Sequence, residues 1–163
     1  MTGGKNTKRP DEGMASVEKS VLVAHSASQM FSLVDRCEDY PLFLPWCSRV
    51  ELLERDEEQT SATLFIGYRG VKSHFSTSNK KRFPVLMQIR LVDGPFRSLE
   101  GEWRFKPLGE NACKIEFNLH FEFSSGVLAR ALNPVFHYIA NSFVDAFVQR
   151  AGQQYGSSVT TNV

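Results

Sequence analysis

The sequence predicts an α+β fold in which a curved, seven-stranded antiparallel sheet wraps around one long C-terminal helix. Three observations lead to this prediction: seven segments with a strand-like pattern, short turns between most of them, and a strongly apolar helix at the end of the chain. A chain of 163 residues suits a single domain of this kind. Phe alone contributes 13 residues, so the predicted core is rich in aromatic side chains.

The chain begins with a predicted strand and a predicted helix. Residues 16–24 alternate and contain several β-branched side chains, which is typical of a strand. Ser26 or Ser28 can cap the helix that follows. This helix should end before Tyr40-Pro41, because the residue before a proline is pushed out of the α region. The segment 40–46, YPLFLPW, is too rich in proline for a regular element.

Six more strands follow, and a turn signal at Asp93-Gly94-Pro95 divides them. The last of them, residues 112–123, alternates apolar and polar residues along its whole length. This pattern indicates an antiparallel strand with one buried face and one face in water. The six predicted strands cover residues 49–56, 60–69, 71–82, 85–92, 98–106 and 112–123.

The C-terminal region predicts a long helix. Ser124 or Ser125 can cap a segment that reaches Leu132, and Asn133-Pro134 looks like a second helix start, so a kink or a restart is expected there. Residues 134–151 are apolar over roughly twice the arc of about 100° that packing on a sheet requires. The segment YPLFLPW, an apolar ligand or a partner protein must therefore cover the remainder. The arrangement predicts a cavity between helix and sheet.

Residues 59–92 contain six cations and no acidic side chain, although the net charge of the whole chain is only +1. Such a block can present a basic face to phosphate groups. Alternatively, the cations pair across the sheet with the acidic strand at residues 49–58. The sequence leaves both explanations open. The cations that would face a phosphate-bearing partner are Arg69, Lys72, Lys80, Lys81 and Arg82.

The sequence predicts neither a catalytic site nor a metal site. No two histidines or cysteines have the spacing of metal ligands, and Cys47 has no neighbouring cation to activate it. His120 and His137 fall on the wet faces of their elements, so neither points into the predicted cavity. Glu100 and Glu102 share a strand face with two cations, which favours an ion-pair ladder over a carboxylate pair. We therefore expect a protein that is not an enzyme.

Composition also limits the cellular setting. No apolar run reaches the 18 or so residues of a membrane span. Residues 1–13 also lack the apolar segment that is typical of a signal peptide. An odd number of cysteines, three, argues for a reducing compartment. We expect a cytoplasmic protein with transient peripheral contact at the inner membrane. Residues 1–13 and 157–163 are predicted to be disordered tails around one domain, residues 14–156.

Four stretches carry a resemblance to a known family: SVEKSVLV, YPLFLPWC, VDGPF and the C-terminal FEFSSGVLARALNPVFHYIANSFVDAFVQRA. They resemble the coenzyme Q-binding protein family, within the START-like, helix-grip superfamily of polyketide cyclase and dehydrase type domains. The likeness is greatest to bacterial members called ribosome association toxin, and it covers about residues 14–156. It implies a START-like ligand-binding domain with a cavity under the C-terminal helix.

The resemblance implies non-enzymatic binding of ubiquinone or a related isoprenoid lipid, in support of respiratory quinone function. For the bacterial members it implies, alternatively, a toxin that binds the large ribosomal subunit and blocks subunit joining. A third hypothesis is a polyketide cyclase or aromatase, but the sequence offers no acid–base pair of the kind that such an enzyme needs. No cofactor is expected besides the lipid ligand.

The predicted ligand-binding residues come from the apolar segment, the inward faces of two strands and the C-terminal helix. The segment YPLFLPW can act as a gate for a hydrophobic tail, or it can simply plug the sheet edge. The predicted residues are Tyr40, Phe43, Leu44, Trp46, Leu99, Trp103, Phe105, Ile115, Phe117, Leu119, Phe121, Leu132, Val135, Phe136, Ile139 and Phe143.

Overall fold

A computed structural model describes residues 14–156 as a curved antiparallel sheet of seven strands that packs against a long C-terminal helix. The predicted fold class is thus confirmed. The predicted tails, residues 1–13 and 157–163, lie outside the described residues. The elements are β1 Ala15–Val23, α1 Ala27–Asp35, a 3₁₀ helix Cys37–Leu42, β2 Cys47–Arg55, β3 Gln59–Tyr68, β4 Val71–Arg82, β5 Leu86–Asp93, β6 Phe96–Pro107, β7 Cys113–Phe123 and α2 Gly126–Tyr155.

The strand order differs in one respect from a simple sequential meander. Strands β2 to β7 are each paired with the next strand along the chain, but β1 pairs with β7, so the order is β1-β7-β6-β5-β4-β3-β2. Residues 24–46, which include α1 and the 3₁₀ helix, separate β1 from β2. This long connection lets the chain pass from one edge of the sheet to the other.

Helix α1 begins as predicted but is followed by a regular element that the sequence did not predict. Ser26 caps it, since the Ser26 Oγ accepts from the Gln29 amide and the Gln29 side chain accepts from the Ser26 amide. The prediction that YPLFLPW contains no regular element is wrong for its first residues, because Tyr40 and Pro41 lie in the 3₁₀ helix. A short 3₁₀ helix tolerates Pro41 because few of its amides need an internal partner.

Helix α2 is continuous from Gly126 to Tyr155, so of the kink or restart expected at Asn133-Pro134 the restart does not occur. Ser125 caps the helix, as predicted, and Pro134 lies inside it. A proline removes one helical hydrogen bond and crowds the carbonyl four residues earlier, here that of Arg130. Both residues are exposed, so water can satisfy this carbonyl, while Leu132 before the proline and Val135 after it are buried in the core.

Two glycines permit close backbone approaches. Gly101 lies in the middle of β6, where an added Cβ would come within 2.3 Å of the Asn118 carbonyl oxygen of β7. Gly94 has a φ of +150° in the turn between β5 and β6, where an added Cβ would lie 2.7 Å from the Phe75 Cβ. The predicted turn at Asp93-Gly94-Pro95 is therefore present.

Among the described residues, no helix is long and apolar enough to cross a membrane.

Candidate functional site

A cavity of about 80 Å³ lies between the sheet and α2. The predicted cavity is therefore present. Strand alternation builds it, because every second residue of β3 to β7 points toward the helix. The lining residues are Val34, Asp35, Cys37, Tyr40, Trp46, Thr60, Ala62, Leu64, Phe75, Thr77, Asn79, Ile89, Leu99, Trp103, Phe117, Leu119, Phe136, Ile139, Ala140 and Phe143.

Aromatic rings dominate the wall that the sequence predicted. Trp103 lies 4.6 Å from Phe117 between ring centroids, and Phe143 of α2 lies within 6 Å of both rings. Phe143 is the one partly exposed aromatic side chain of the wall in residues 14–156. The predicted ligand-binding residues that line the cavity are Tyr40, Trp46, Leu99, Trp103, Phe117, Leu119, Phe136, Ile139 and Phe143.

Other predicted ligand-binding residues lie in the packed core next to the cavity instead of on its wall. Phe105, for example, packs between Phe31 of α1 and Trp103, with both centroids 5.8 Å away. Periodicity shows that a side chain points inward but does not distinguish solid packing from a cavity wall. The residues placed away from the wall are Phe43, Leu44, Phe105, Ile115, Phe121, Leu132 and Val135.

The segment YPLFLPW covers the apolar part of α2 that the sheet leaves open. Phe43 and Tyr40 pack edge-on against Phe147 of α2, at centroid distances of 5.1 and 5.2 Å. Trp46 approaches Phe143 at 5.9 Å, and Leu44 is fully buried. Of the three covers that the sequence predicted for this helix, the structure identifies this one.

One part of the wall is polar, and sequence reasoning did not find it. Asp35 at the end of α1, Thr60 of β3, and Thr77 and Asn79 of β4 all line the cavity. The signal was available, because β4 has polar residues on both faces although it is an internal strand of the sheet. Two consecutive polar side chains, Thr77 and Asn79, on the inward face of an internal strand are unusual and mark a place where polar atoms meet a core.

Asp35 anchors a network of charges where this polar wall reaches the surface. Its carboxylate accepts a hydrogen bond from the Thr60 hydroxyl at 2.7 Å and pairs with the Lys81 Nζ at 3.1 Å. Arg55 binds Glu38 through two hydrogen bonds, of 2.9 and 2.6 Å. The hydrogen bonds from Arg55 lower the pKa of Glu38 to about 2. The side chain of Lys81 is only 6% exposed, so this cation is not available to an external partner.

The predicted basic block therefore divides into one buried cation and several exposed ones. The expected pairing with the acidic strand at residues 49–58 is wrong for Lys81, which pairs with Asp35 of α1 instead. The cations Arg69, Lys72, Lys80 and Arg82 are exposed, and no carboxylate within residues 14–156 lies within 4 Å of them. Strand alternation places Lys72, Lys80 and Arg82 on the outer face of β4, opposite the cavity.

The cavity wall holds no evident acid–base pair in the part of the chain that the structure describes. Burial raises the pKa of the Cys37 thiol to about 11 and raises the pKa of Tyr40, so both stay protonated near neutrality. The Tyr40 hydroxyl donates to the Val34 carbonyl at 2.5 Å. The Asp35 carboxylate is bound by the Lys81 ammonium and the Thr60 hydroxyl. Burial also raises the pKa of Cys47, to about 12, which agrees with a packing role for this thiol. Residues 14–156 contain no cluster of histidine, cysteine and acidic side chains suited to a metal ion.

Comparisons with known proteins agree with this geometry. Residues 23–148 match the family model described as polyketide cyclase/dehydrase and lipid transport. The ribosome association toxin of Vibrio cholerae is 43% identical over 143 residues, which cover 88% of this chain and 99% of that protein. The mitochondrial coenzyme Q-binding protein homolog B of Xenopus laevis is 32% identical over 159 residues, which cover 93% of this chain and 64% of that protein.

A solved structure shows the same fold in an enzyme. The Zhui aromatase/cyclase from Streptomyces sp. R1128 superposes with a TM-score of 0.74 at 18% identity, over 87% of this chain and 96% of that chain. At this identity the likeness establishes the fold alone. The fold therefore accommodates enzymes, while the relatives with higher identity are named for ribosome association and for coenzyme Q binding.

Proposed function

The chain belongs to the polyketide cyclase/dehydrase and lipid transport family, and on that premise we propose that it binds an isoprenoid lipid of the ubiquinone kind without chemically changing it. The observation that carries this proposal is the apolar cavity between the sheet and α2. Its wall is built largely from aromatic and aliphatic side chains, and both tryptophans of the chain, Trp46 and Trp103, belong to it. Moving an apolar chain from water into such a site is favourable by about 0.8 kcal/mol per CH₂ group.

The size of the cavity defines what binding requires. At about 80 Å³ it is smaller than the cavity of about 150 Å³ that accommodates benzene in a protein core. Ligand pockets usually measure about 300–1,000 Å³. The wall must therefore open to admit the ligand, and partly exposed Phe143 is the wall aromatic least restrained by burial.

Filling the cavity tests this proposal. Ala140 of α2 is buried on the wall, and Ala140→Leu would place three additional carbons in the cavity. We expect the variant to melt at or above the temperature of the wild type, because the added side chain fills a void instead of overpacking a solid core. We expect wild-type protein purified from a ubiquinone-producing bacterium to carry quinone in its organic extract, and the variant to carry at least tenfold less by mass spectrometry.

The matched control is Ala131→Leu, which adds the same atoms at an exposed position of the same helix. This variant should retain the quinone content of the wild type. Equal quinone content in Ala140→Leu and wild type would show adventitious adsorption. A wild-type protein that neither carries nor takes up ubiquinone would contradict the proposal.

A second candidate function is docking on the large ribosomal subunit. The observation that favours it is the row of Lys72, Lys80 and Arg82 on the outer face of β4, exposed and without an acidic partner among the described residues. A phosphate backbone is the partner that such a row fits. The identity to a protein named ribosome association toxin supports the same reading.

Salt dependence tests this second function. Replacing Lys72, Lys80 and Arg82 together by alanine should reduce co-sedimentation with large subunits at low salt by orders of magnitude. The slope of log affinity against log salt should become shallower by about 0.7–0.9 for each phosphate contact removed. Arg130→Ala, which removes an exposed cation of α2, is the control and should bind as the wild type does. Unchanged sedimentation of the triple variant would contradict docking through this face.

A further inference from the structure

The polar part of the cavity wall is a continuous patch built by strand register. Asn79 of β4 lies directly opposite Thr60 of β3, and Thr77 precedes Asn79 by one inward position on the same strand. Thr60 donates to Asp35, which joins the patch to the ion pair at the end of α1. Three hydrogen-bonding side chains and a carboxylate therefore lie together in a wall that is otherwise largely apolar.

Asn79 is the member of this patch whose hydrogen bonding is incomplete. Its side-chain carbonyl oxygen is buried and has no partner within residues 14–156. Its amide nitrogen makes only a contact of 3.7 Å with the sulfur of Met87. A buried polar atom without a partner is rare and requires an explanation. Because the contact to Met87 is weak, a half-turn of the side-chain amide can present either its oxygen or its nitrogen to a ligand.

We propose that the cavity takes a neutral lipid whose compact head carries carbonyl or hydroxyl oxygens, and that this head docks on Asn79 and Thr77. This inference rests on the proposed lipid-binding function and specifies its ligand class and orientation. The head meets the polar patch, and the apolar chain runs along the remaining wall formed by α2, β6 and β7. Asn79 and Thr77 then determine specificity, because a plain hydrocarbon leaves the Asn79 oxygen unpartnered.

The charges around the patch disfavour an anionic head such as a phosphate. The charged side chain on the wall is the carboxylate of Asp35, which would repel an anion. The two nearest cations are already engaged, since Lys81 and Arg55 both pair with Asp35, at 3.1 and 3.6 Å, and Arg55 also forms two hydrogen bonds with Glu38, so neither is free to bind an anion. A neutral oxygen-bearing head can bind beside Asp35 without this penalty.

Two probes with the same chain separate head recognition from simple burial. Decylubiquinone carries ring oxygens, whereas decylbenzene has the same ten-carbon chain on a ring without oxygens. Binding is followed through the fluorescence of Trp46 and Trp103, both on the wall, with decylbenzene measured by competition. We expect Asn79→Leu to weaken decylubiquinone binding by about 3- to 10-fold, the range of one lost hydrogen bond, while decylbenzene binds as well or better.

Thr77→Val is the second variant, nearly unchanged in shape, and it carries the test if Asn79→Leu fails to fold. Ile89→Leu is the control, because Ile89 lies opposite Asn79 on β5 and also lines the cavity but offers no polar atom. Wild-type affinity for decylubiquinone in both polar variants, or no wild-type preference over decylbenzene, would overturn head recognition while leaving lipid binding intact. Failure of the wild type to bind either probe would overturn the proposed function itself.

Discussion

Phe117→Ala is expected to lower the free energy of unfolding by about 3–5 kcal/mol. Phe117 is 2% exposed, and its ring packs between Trp103, at a centroid distance of 4.6 Å, and Phe143, at 5.7 Å. A cavity of about 80 Å³ is too small for its wall to behave like a ligand-sized void, so removal of the ring should incur most of the cost seen in a solid core. Urea denaturation measures the loss.

The neighbouring Asn118→Ala is the matched control, because this side chain lies on the opposite face of β7 and should change stability by less than about 0.5 kcal/mol. The enlarged cavity of Phe117→Ala should also accept a ligand more readily, so added decylubiquinone should raise the melting temperature of this variant more than that of the wild type. A loss below about 1 kcal/mol would show that the ring faces empty space instead of packed neighbours.

Asp35→Leu is expected to lower the free energy of unfolding by about 3 kcal/mol, because it leaves the Lys81 ammonium buried without its carboxylate. The side chains of Lys81 and Asp35 are 6% and 16% exposed, so water replaces the lost partner poorly. The double variant Asp35→Leu with Lys81→Met should recover most of this loss, since a well-packed apolar pair often equals a buried ion pair in stability. Urea denaturation of the three variants gives the coupling energy.

Glu51→Ala provides the control, because Glu51 pairs with Arg49 in an exposed ion pair that should contribute less than about 1 kcal/mol. If the double variant were as unstable as the sum of its single changes, Asp35 and Lys81 would not be coupled. The loss of stability in Asp35→Leu would then have to be explained by the lost hydrogen bond from Thr60 or by the lost ion pair with Arg55.

The proposed lipid binding and the proposed ribosome docking draw on opposite faces of the same sheet. The cavity residues point inward from β3 to β7, whereas Lys72, Lys80 and Arg82 point outward from β4. Ala140→Leu should therefore leave salt-dependent docking unchanged. The variant with Lys72, Lys80 and Arg82 replaced by alanine should leave quinone uptake unchanged. The two proposed activities can coexist in one chain, and the two variants separate them.

Much of the fold follows from the sequence because its signals are local. Alternation in residues 112–123 predicts β7, the serine caps predict both helix starts, and Asp93-Gly94-Pro95 predicts the turn before β6. These signals succeed because strand pleat, helix capping and turn geometry depend on residues close together in the chain. The apolar surface of α2, which is wider than a sheet can bury, likewise predicted that a further segment packs on this helix. The four stretches that resemble a known family predicted the family to which the chain belongs.

Tertiary contacts decided the rest. The place of β1 beside β7 depends on a long connection whose path no local pattern encodes. The sequence around Asn133-Pro134 is typical of a helix start and did not show that Pro134 lies inside a continuous helix. Alternation could not separate Phe117 on the cavity wall from Phe121 in the solid core, because both point inward and both rings lie about 6 Å from a ring of α2. Lys81 pairs with Asp35, which lies 46 residues away in the chain, and Asn79 lines the cavity. Sequence spacing does not indicate either contact, because both depend on how distant segments pack in the folded chain.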